Sequence, residues 1–308
     1  MLSLAALRYR DVFAEDGGPI ERVLTGDFNI LGQPYKQANA FLRPELTAGK
    51  STYAIYGQAD GTGSAGSGAI ACHMAISEAL ERWAFLAVHN RPEGRSYGFD
   101  VDRSSNGMAA FPGMFRTQAA IRARLEALER FALISWWDGR LPAQKMGSPF
   151  PGVELVRIHH NAGEGEVVIL VQHSRAGASY GHAAGRTIKS AAFKAAVELA
   201  RSDFVLVAHK ARGALVQAAN FFERRALHFA TDEGYAEFEE RLQSGPVRPS
   251  PRWVTAFDGE IPGPWSRWAT VWRHAVAMPD RTGAPRPRRI GGHRWLTSTP
   301  ESCVQRPP

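Results

Sequence analysis

Residues 78–82 read Glu-Ala-Leu-Glu-Arg, and residues 126–130 read Glu-Ala-Leu-Glu-Arg again. An aromatic residue and an alanine follow each copy: Trp83-Ala84 in the first, Phe131-Ala132 in the second. All the repeated residues are strong helix formers. Positions three and four apart share one helical face, so each copy presents two carboxylates and a guanidinium on one side. Glu78, Glu81 and Arg82 form one set; Glu126, Glu129 and Arg130 form the other. On an exposed helix, such a Glu–Arg pair contributes only about 0.2–0.5 kcal/mol.

The neighbouring residues point to burial. Ile76, Leu80, Ala84 and Val88 give the first helix an apolar stripe that Trp83, Phe85, Leu86 and Ala87 widen. Ile121, Leu125, Leu128, Ala132, Leu133, Trp136 and Trp137 do the same for the second. Helices this apolar are largely covered. Carboxylates paired at a covered surface repel each other and need an arginine, a lysine or a metal. Hard oxygen ligands on a rigid element suit Mg²⁺, which commonly shares its shell with water and phosphate oxygens.

Working outward, residues 57–68 run Gly-Gln-Ala-Asp-Gly-Thr-Gly-Ser-Ala-Gly-Ser-Gly and lead into the first helix, expected over about 69–89. Gly61, Gly63 and Gly66 satisfy G-x-G-x-x-G. A phosphate loop and a plain flexible loop are both open readings. No strand–helix–strand unit with a strand-end acid follows, so the match to a dinucleotide fold is weak. Residues 103–110 form a second small-residue loop before the second helix, expected over about 118–137. A third such stretch, Gly177-Ala178-Ser179-Tyr180-Gly181-His182, precedes a third helix from Thr187 to about Val207, where Lys194 stands one turn before Glu198.

The rest of the chain sets the frame. Residues 17–44 read as short strands and loops, and residues 51–56 as a strand from their β-branched and aromatic content. Val153–His159 and Val167–His173 suit a hairpin. Residues 221–242 read as one helix with a solvated charged face. At 308 residues, the chain is long enough for a sizeable core. Cys72 and Cys303 stand far apart, which excludes a disulfide framework and suits a cytoplasmic chain. No run approaches a membrane span. The ten histidines do not cluster with metal spacing. The net charge is +7, of which residues 281–308 carry +5 (six arginines and Glu301), leaving +2 for the body. Neither a membrane nor nucleic acid is expected as a partner, and the Arg/Pro-rich tail is expected to be disordered.

These motifs in this order resemble the YcaO family of ATP-dependent peptide-backbone-modifying enzymes. The resemblance covers most of residues 17–275. It rests on Ala75–Arg82, on Ser104-Ser105-Asn106-Gly107-Met108-Ala109-Ala110, on Leu125–Arg130 with Trp136-Trp137-Asp138-Gly139-Arg140, and on Lys194-Ala195-Ala196-Val197-Glu198. It implies an α+β fold: a YcaO-like domain over residues 1–280, with a sheet flanked by acidic helices that converge on a nucleotide site. By the resemblance, ATP and Mg²⁺ are the cofactors. Glu78, Glu81, Glu126, Glu129 and Glu198 hold the metal or support its ligands. Arg82, Arg130, Arg140, Lys194, Ser105, Asn106 and Gly107 take the nucleotide.

The implied chemistry is phosphorylation of a backbone amide oxygen, then attack by a side-chain nucleophile or sulfide, as in cyclodehydration or thioamidation during peptide natural-product maturation. The implied partners are a ribosomally made peptide or protein and a TfuA-like or leader-binding E1-like protein, with a homodimer as a further assembly. The chain departs from the family pattern at Met74, Arg122, Gly66-Ser67-Gly68 and Phe131. It also lacks a terminal Pro-x-Pro-x-Pro. Two other functions are carried alongside: a weakly catalytic scaffold or substrate-binding subunit of the same fold, and a dinucleotide-binding oxidoreductase built on Gly61, Gly63 and Gly66.

Overall fold

A computed structural model describes residues 11–278, apart from 14, 16, 113–114, 214–216 and 244–249. The tail over 281–308, with Cys303, lies outside the described residues. In chain order, β1 (Ile20–Ile30) and β2 (Gln33–Leu42) form a hairpin, and β3 (Gly61–Ala65) leads into α1 (Gly68–Val88). Then come β4 (Met108–Pro112), α2 (Arg116–Trp137), β5 (Ala143–Met146), β6 (Glu154–Ile158), β7 (Glu166–Ser174) and β8 (Gly177–Gly185). The chain continues through α3 (Ile188–Ala211), α4 (Phe221–Phe229), α5 (Asp232–Gln243), β9 (Thr255–Glu260) and β10 (Ala269–Val276).

The α+β class is as expected, but one sheet becomes three. Their strand orders are β1-β2-β3, β4-β10-β9 and β5-β6-β7-β8, with every neighbouring pair antiparallel. Each sheet passes one strand directly into one acidic helix: β3 into α1, β4 into α2 and β8 into α3. Each stretch read from sequence as a small-residue loop therefore contains strand, over 61–65, 108–110 and 177–182. Their glycines serve close packing. A Cβ on Gly61 would lie 2.1 Å from the Ala75 carbonyl oxygen, and one on Gly181 would lie 2.1 Å from that of Ala195. The facing helices answer with alanine: Ala71, Ala75 and Ala79 on α1, and Ala191, Ala195 and Ala196 on α3, are all buried. With neither side carrying bulk, backbone meets backbone.

This packing also removes the oxidoreductase reading. Gly61 and Gly63 lie against the middle of α1, and no parallel strand–helix–strand unit is present among the described residues.

Other elements differ from their sequence reading. Residues 17–44 hold one long hairpin, turned through Leu31 (φ 49°) and Gly32 (φ 85°), the geometry of a tight two-residue β-turn. Residues 51–56 form no strand. The loop is instead pinned by Glu223, whose Oε1 accepts N–H bonds from Ala54, Ile55 and Tyr56 at 2.6–3.0 Å and whose Oε2 accepts from Ala219. Glu223 is fully buried while Arg224 and Glu240 are exposed, so the helix read as a solvated face is solvated only in part. That helix also breaks in two at residues 230–231. The hairpin across 161–165 is present, as β6 paired to β7. No helix among the described residues is long and apolar enough to cross a membrane.

Candidate functional site

The three acidic helices meet at one cleft of about 390 Å³. Glu78 and Glu81 reach it from α1, Glu126 and Glu129 from α2, and Glu198 from α3. The wall between them is β4, through Met108–Phe111, and β8, through His182–Ala184. Helical spacing accounts for the pairing within each helix: the residues at i and i+3 on α1 and on α2 share one face.

Two of the carboxylates are held by strand backbone. Glu78 Oε2 accepts the Thr62 N–H at 2.9 Å. Glu129 accepts the Ala184 N–H at 3.1 Å and a 2.7 Å bond involving His182 Nδ1. Burial alone would push the Glu129 carboxyl up. The hydrogen bond and charge of His182, with Arg130 and the Ala184 N–H, outweigh it and hold the group below the usual carboxylate range.

Glu81 and Glu126 are in the opposite state. Neither takes a hydrogen bond or a close ion pair from another described residue. Burial pushes Glu81 well up, and repulsion from Glu126 and Glu78 adds to it. Burial likewise pushes Glu126 up to about 8, with Glu129 and Glu78 adding and Arg130 opposing. Glu198 is raised by burial against the pull of Arg201. These groups border the open cleft; about half of the Glu198 side chain, 51%, is accessible.

Cations line the same cleft. Arg130 and Lys194 are there, as are Arg122 and Arg201. Lys194 does not pair with Glu198 one turn on; its Nζ donates to the Ala184 carbonyl at 3.1 Å. Glu198 instead takes Arg201, Nη1 to Oε1 at 2.9 Å, while Arg201 Nη2 donates to Ser64 Oγ at 2.9 Å and so ties α3 to β3. Burial and the nearby Arg122 pull the Lys194 ammonium down.

Five residues proposed from sequence do not line the cleft. Arg82 Nε donates to the Asp60 carbonyl, with a guanidinium nitrogen 3.8 Å from Glu78. Arg140 lies past the C-terminus of α2, its N–H closing on the Ser135 carbonyl. Ser105, Asn106 and Gly107 sit in the turn before β4. Gly107 (φ 70°) packs where a Cβ would lie 2.2 Å from the His274 carbonyl oxygen. That turn is braced by the fully buried Arg273, which donates to the Ser104 and Asp102 carbonyls.

Residues passed over in the sequence are also in the cleft. Arg122 is one turn before Glu126 on the same face, Arg201 is three after Glu198, and His182 shares a strand face with Tyr180 and Ala184 along β8. Each lies at the spacing that defines a shared face. Met74 and Arg122, two departures from the family pattern, both border the cleft. Phe131, a third, is fully buried with its ring edge-on to Trp253 at 5.1 Å.

The donor set fits hard divalent cations. Carboxylate oxygens converge, and two of the five carboxylates, Glu81 and Glu126, take no hydrogen bond or close ion pair from a described residue, which leaves their oxygens open to a metal ion. No three His, Cys, Asp or Glu side chains among the described residues stand close enough to ligate a single ion as they lie.

No family model and no curated protein matches the sequence. Solved structures do. The fold is similar to that of YcaO from Methanopyrus kandleri bound with AMPPCP and Mg²⁺, with a TM-score of 0.52 at 15% identity over 88% of each chain. It is also similar to a chain of the E. coli microcin synthetase McbBCD complex with pro-MccB17 bound, with a TM-score of 0.50 at 13% identity over 83% of this chain and 87% of that one. The protein has a YcaO-like fold.

Proposed function

From the YcaO-like fold as premise, we propose that the chain uses ATP, with Mg²⁺, to modify a backbone amide of a peptide substrate. The observation that carries this reading is the cleft itself: five carboxylates and four basic side chains from three helices line one space. Acids alone would suit a cation and bases alone an anion. The mixture suits a metal–polyphosphate pair.

In this reading, Glu78, Glu81, Glu126 and Glu198 hold the metal, and Mg²⁺ supplies charge neutralisation along the phosphate chain. Glu129, committed at both oxygens to His182 and Ala184, orients the cleft wall. Arg122, Arg130, Arg201 and Lys194 bind phosphate oxygens and stabilise the charge that shifts between them during transfer. The γ-phosphoryl group of ATP passes to the amide oxygen and ADP departs. A nucleophile then attacks the amide carbon, and the former amide oxygen leaves with phosphate. A side-chain hydroxyl or thiol yields a ring; sulfide yields a thioamide. Delivery of the peptide by a partner protein belongs to the same proposal.

Isothermal titration with ATP in the presence of Mg²⁺ tests the reading. Saturable binding that needs Mg²⁺ and weakens at least about tenfold in Glu78→Ala and Glu126→Ala is expected. Absence of binding, or binding indifferent to both substitutions, would overturn it. A non-catalytic subunit of the same fold is the second reading, favoured by Met74 in the cleft wall and by the lack of a preformed three-acid group. ATP binding without any ATP consumption in the presence of peptide substrate would select it.

A further inference from the structure

A second cavity, of about 340 Å³, adjoins the acidic cleft. Arg130, His182, Glu198 and Arg201 line both spaces and form the partition between them. Beyond the partition the character changes. The walls are aromatic: Tyr56, Trp136, Trp137, Tyr180, Phe222 and Phe229. Their rings meet edge-on or tilted, with Trp137 5.1 Å from Phe229 and Tyr56 5.1 Å from Phe222. Surfaces of this kind take flat or bulky apolar groups.

One wall residue is out of keeping with the rest. Arg225 lies in this cavity with its guanidinium 5.5 Å from the Phe222 ring. No acid pairs with it among the described residues. Glu223, two residues away, is spent on four backbone N–H groups. Burial and the like charge of Arg130 pull Arg225 down to about 10, so it remains charged at neutral pH. A charge left unpaired beside aromatic walls calls for an anion.

These features discriminate among ligands. A neutral nucleobase would fill the aromatic space but give Arg225 no counter-charge. A bare phosphate would give the charge but strand its hydration shell among rings. A carboxylate attached to an aromatic group meets both demands. We infer that this cavity is a substrate subsite that takes an aromatic side chain of the peptide together with an adjoining carboxylate paired to Arg225. The carboxylate is either the peptide's own C-terminus or an acidic side chain next to the aromatic residue. Assignment to a peptide rests on the function proposed above; the ligand chemistry of the cavity does not.

Saturation-transfer NMR titrations of the full chain with three short peptides test this. The probes are acetyl-Ala-Ala-Phe as the free acid, the same peptide as the C-terminal amide, and acetyl-Ala-Asp-Phe amide. The free acid is expected to bind about tenfold more tightly than the first amide. Arg225→Met should abolish that preference, and Arg225→Lys should retain part of it. Tight binding of the Asp-Phe amide would assign the carboxylate to a side chain; weak binding would assign it to the C-terminus.

Equal affinity for acid and amide in the unaltered protein would overturn the inference, as would a preference that survives Arg225→Met. Displacement of the free acid by adenosine would give the cavity to a base and overturn it too. An acid preference that depends on Arg225, found in a protein that binds no ATP with Mg²⁺, would leave the carboxylate site standing and remove the proposed activity.

Discussion

Glu129 and His182 lie on different elements, α2 and β8, and are joined by a 2.7 Å contact between Oε1 and Nδ1. Glu129 is thereby held as an anion in a buried place. Its folded-state pKa is depressed, so the stability it contributes is present above the unfolded carboxylate pKa and is lost as pH falls through the folded value. His182→Ala is expected to cost about 1–2 kcal/mol at neutral pH. Denaturant melts at pH 7 and pH 3 check this: the deficit should shrink at the lower pH, and a pH-independent deficit would contradict it.

Glu126 behaves in the reverse sense. Its folded-state pKa is raised to about 8, above the unfolded value. The unfolded chain therefore ionises more readily between about pH 4.5 and 8, and stability falls across that window as pH rises. Glu126→Gln is expected to raise the melting temperature at pH 8 and to change it little at pH 4. The same variant should lose the Mg²⁺-dependent gain in melting temperature that ATP is expected to give the unaltered protein. Stability and ligand response moving in opposite directions separates a charge kept for use from one that merely packs.

Glu223→Ala removes the acceptor for four backbone N–H groups, at residues 54, 55, 56 and 219. A loss of about 3 kcal/mol is expected, with faster amide exchange confined first to residues 51–58. Glu223→Gln keeps an oxygen but not the charge, and about half the loss is expected. Global unfolding curves and exchange mass spectrometry check both values.

Gly61→Ala and Gly181→Ala each force a Cβ to within 2.1 Å of a helix carbonyl oxygen. A cost of about 3 kcal/mol is expected for each. Gly66→Ala meets nothing within 4 Å and should be neutral. If these glycines served a phosphate loop instead, Gly66→Ala would weaken ATP binding while Gly61→Ala left the melting temperature unchanged.

The helices were legible in the sequence because their signals are local. Repeated Glu-Ala-Leu-Glu-Arg, alanine runs and apolar stripes placed α1, α2 and α3 to within a few residues. The five acids brought to one cleft all sit on those helices, one turn apart or less within each pair. The strands were harder to see. Gly61–Ala65 and Gly177–Gly185 lack β-branched bulk, since the helix backbone lies directly on them, so composition suggested loops. Residues 51–56 have the bulk of a strand but are held as a loop by Glu223, a partner 167 or more positions away. Arg82 and Arg140 carry the right charge in the right motif. Where a guanidinium ends up depends on what else it can reach, and for Arg82 that was the Asp60 carbonyl.

Each acidic helix is rooted in its own sheet, and among the described residues the sheets share no strand hydrogen bonds. The distance between one helix's carboxylates and the next is therefore set by how three blocks lean on one another. A small tilt of one block brings like charges nearer or eases them apart without breaking a single ladder. A ligand held between the blocks would touch all three acidic helices at once, so the lean of each block sets how well it fits.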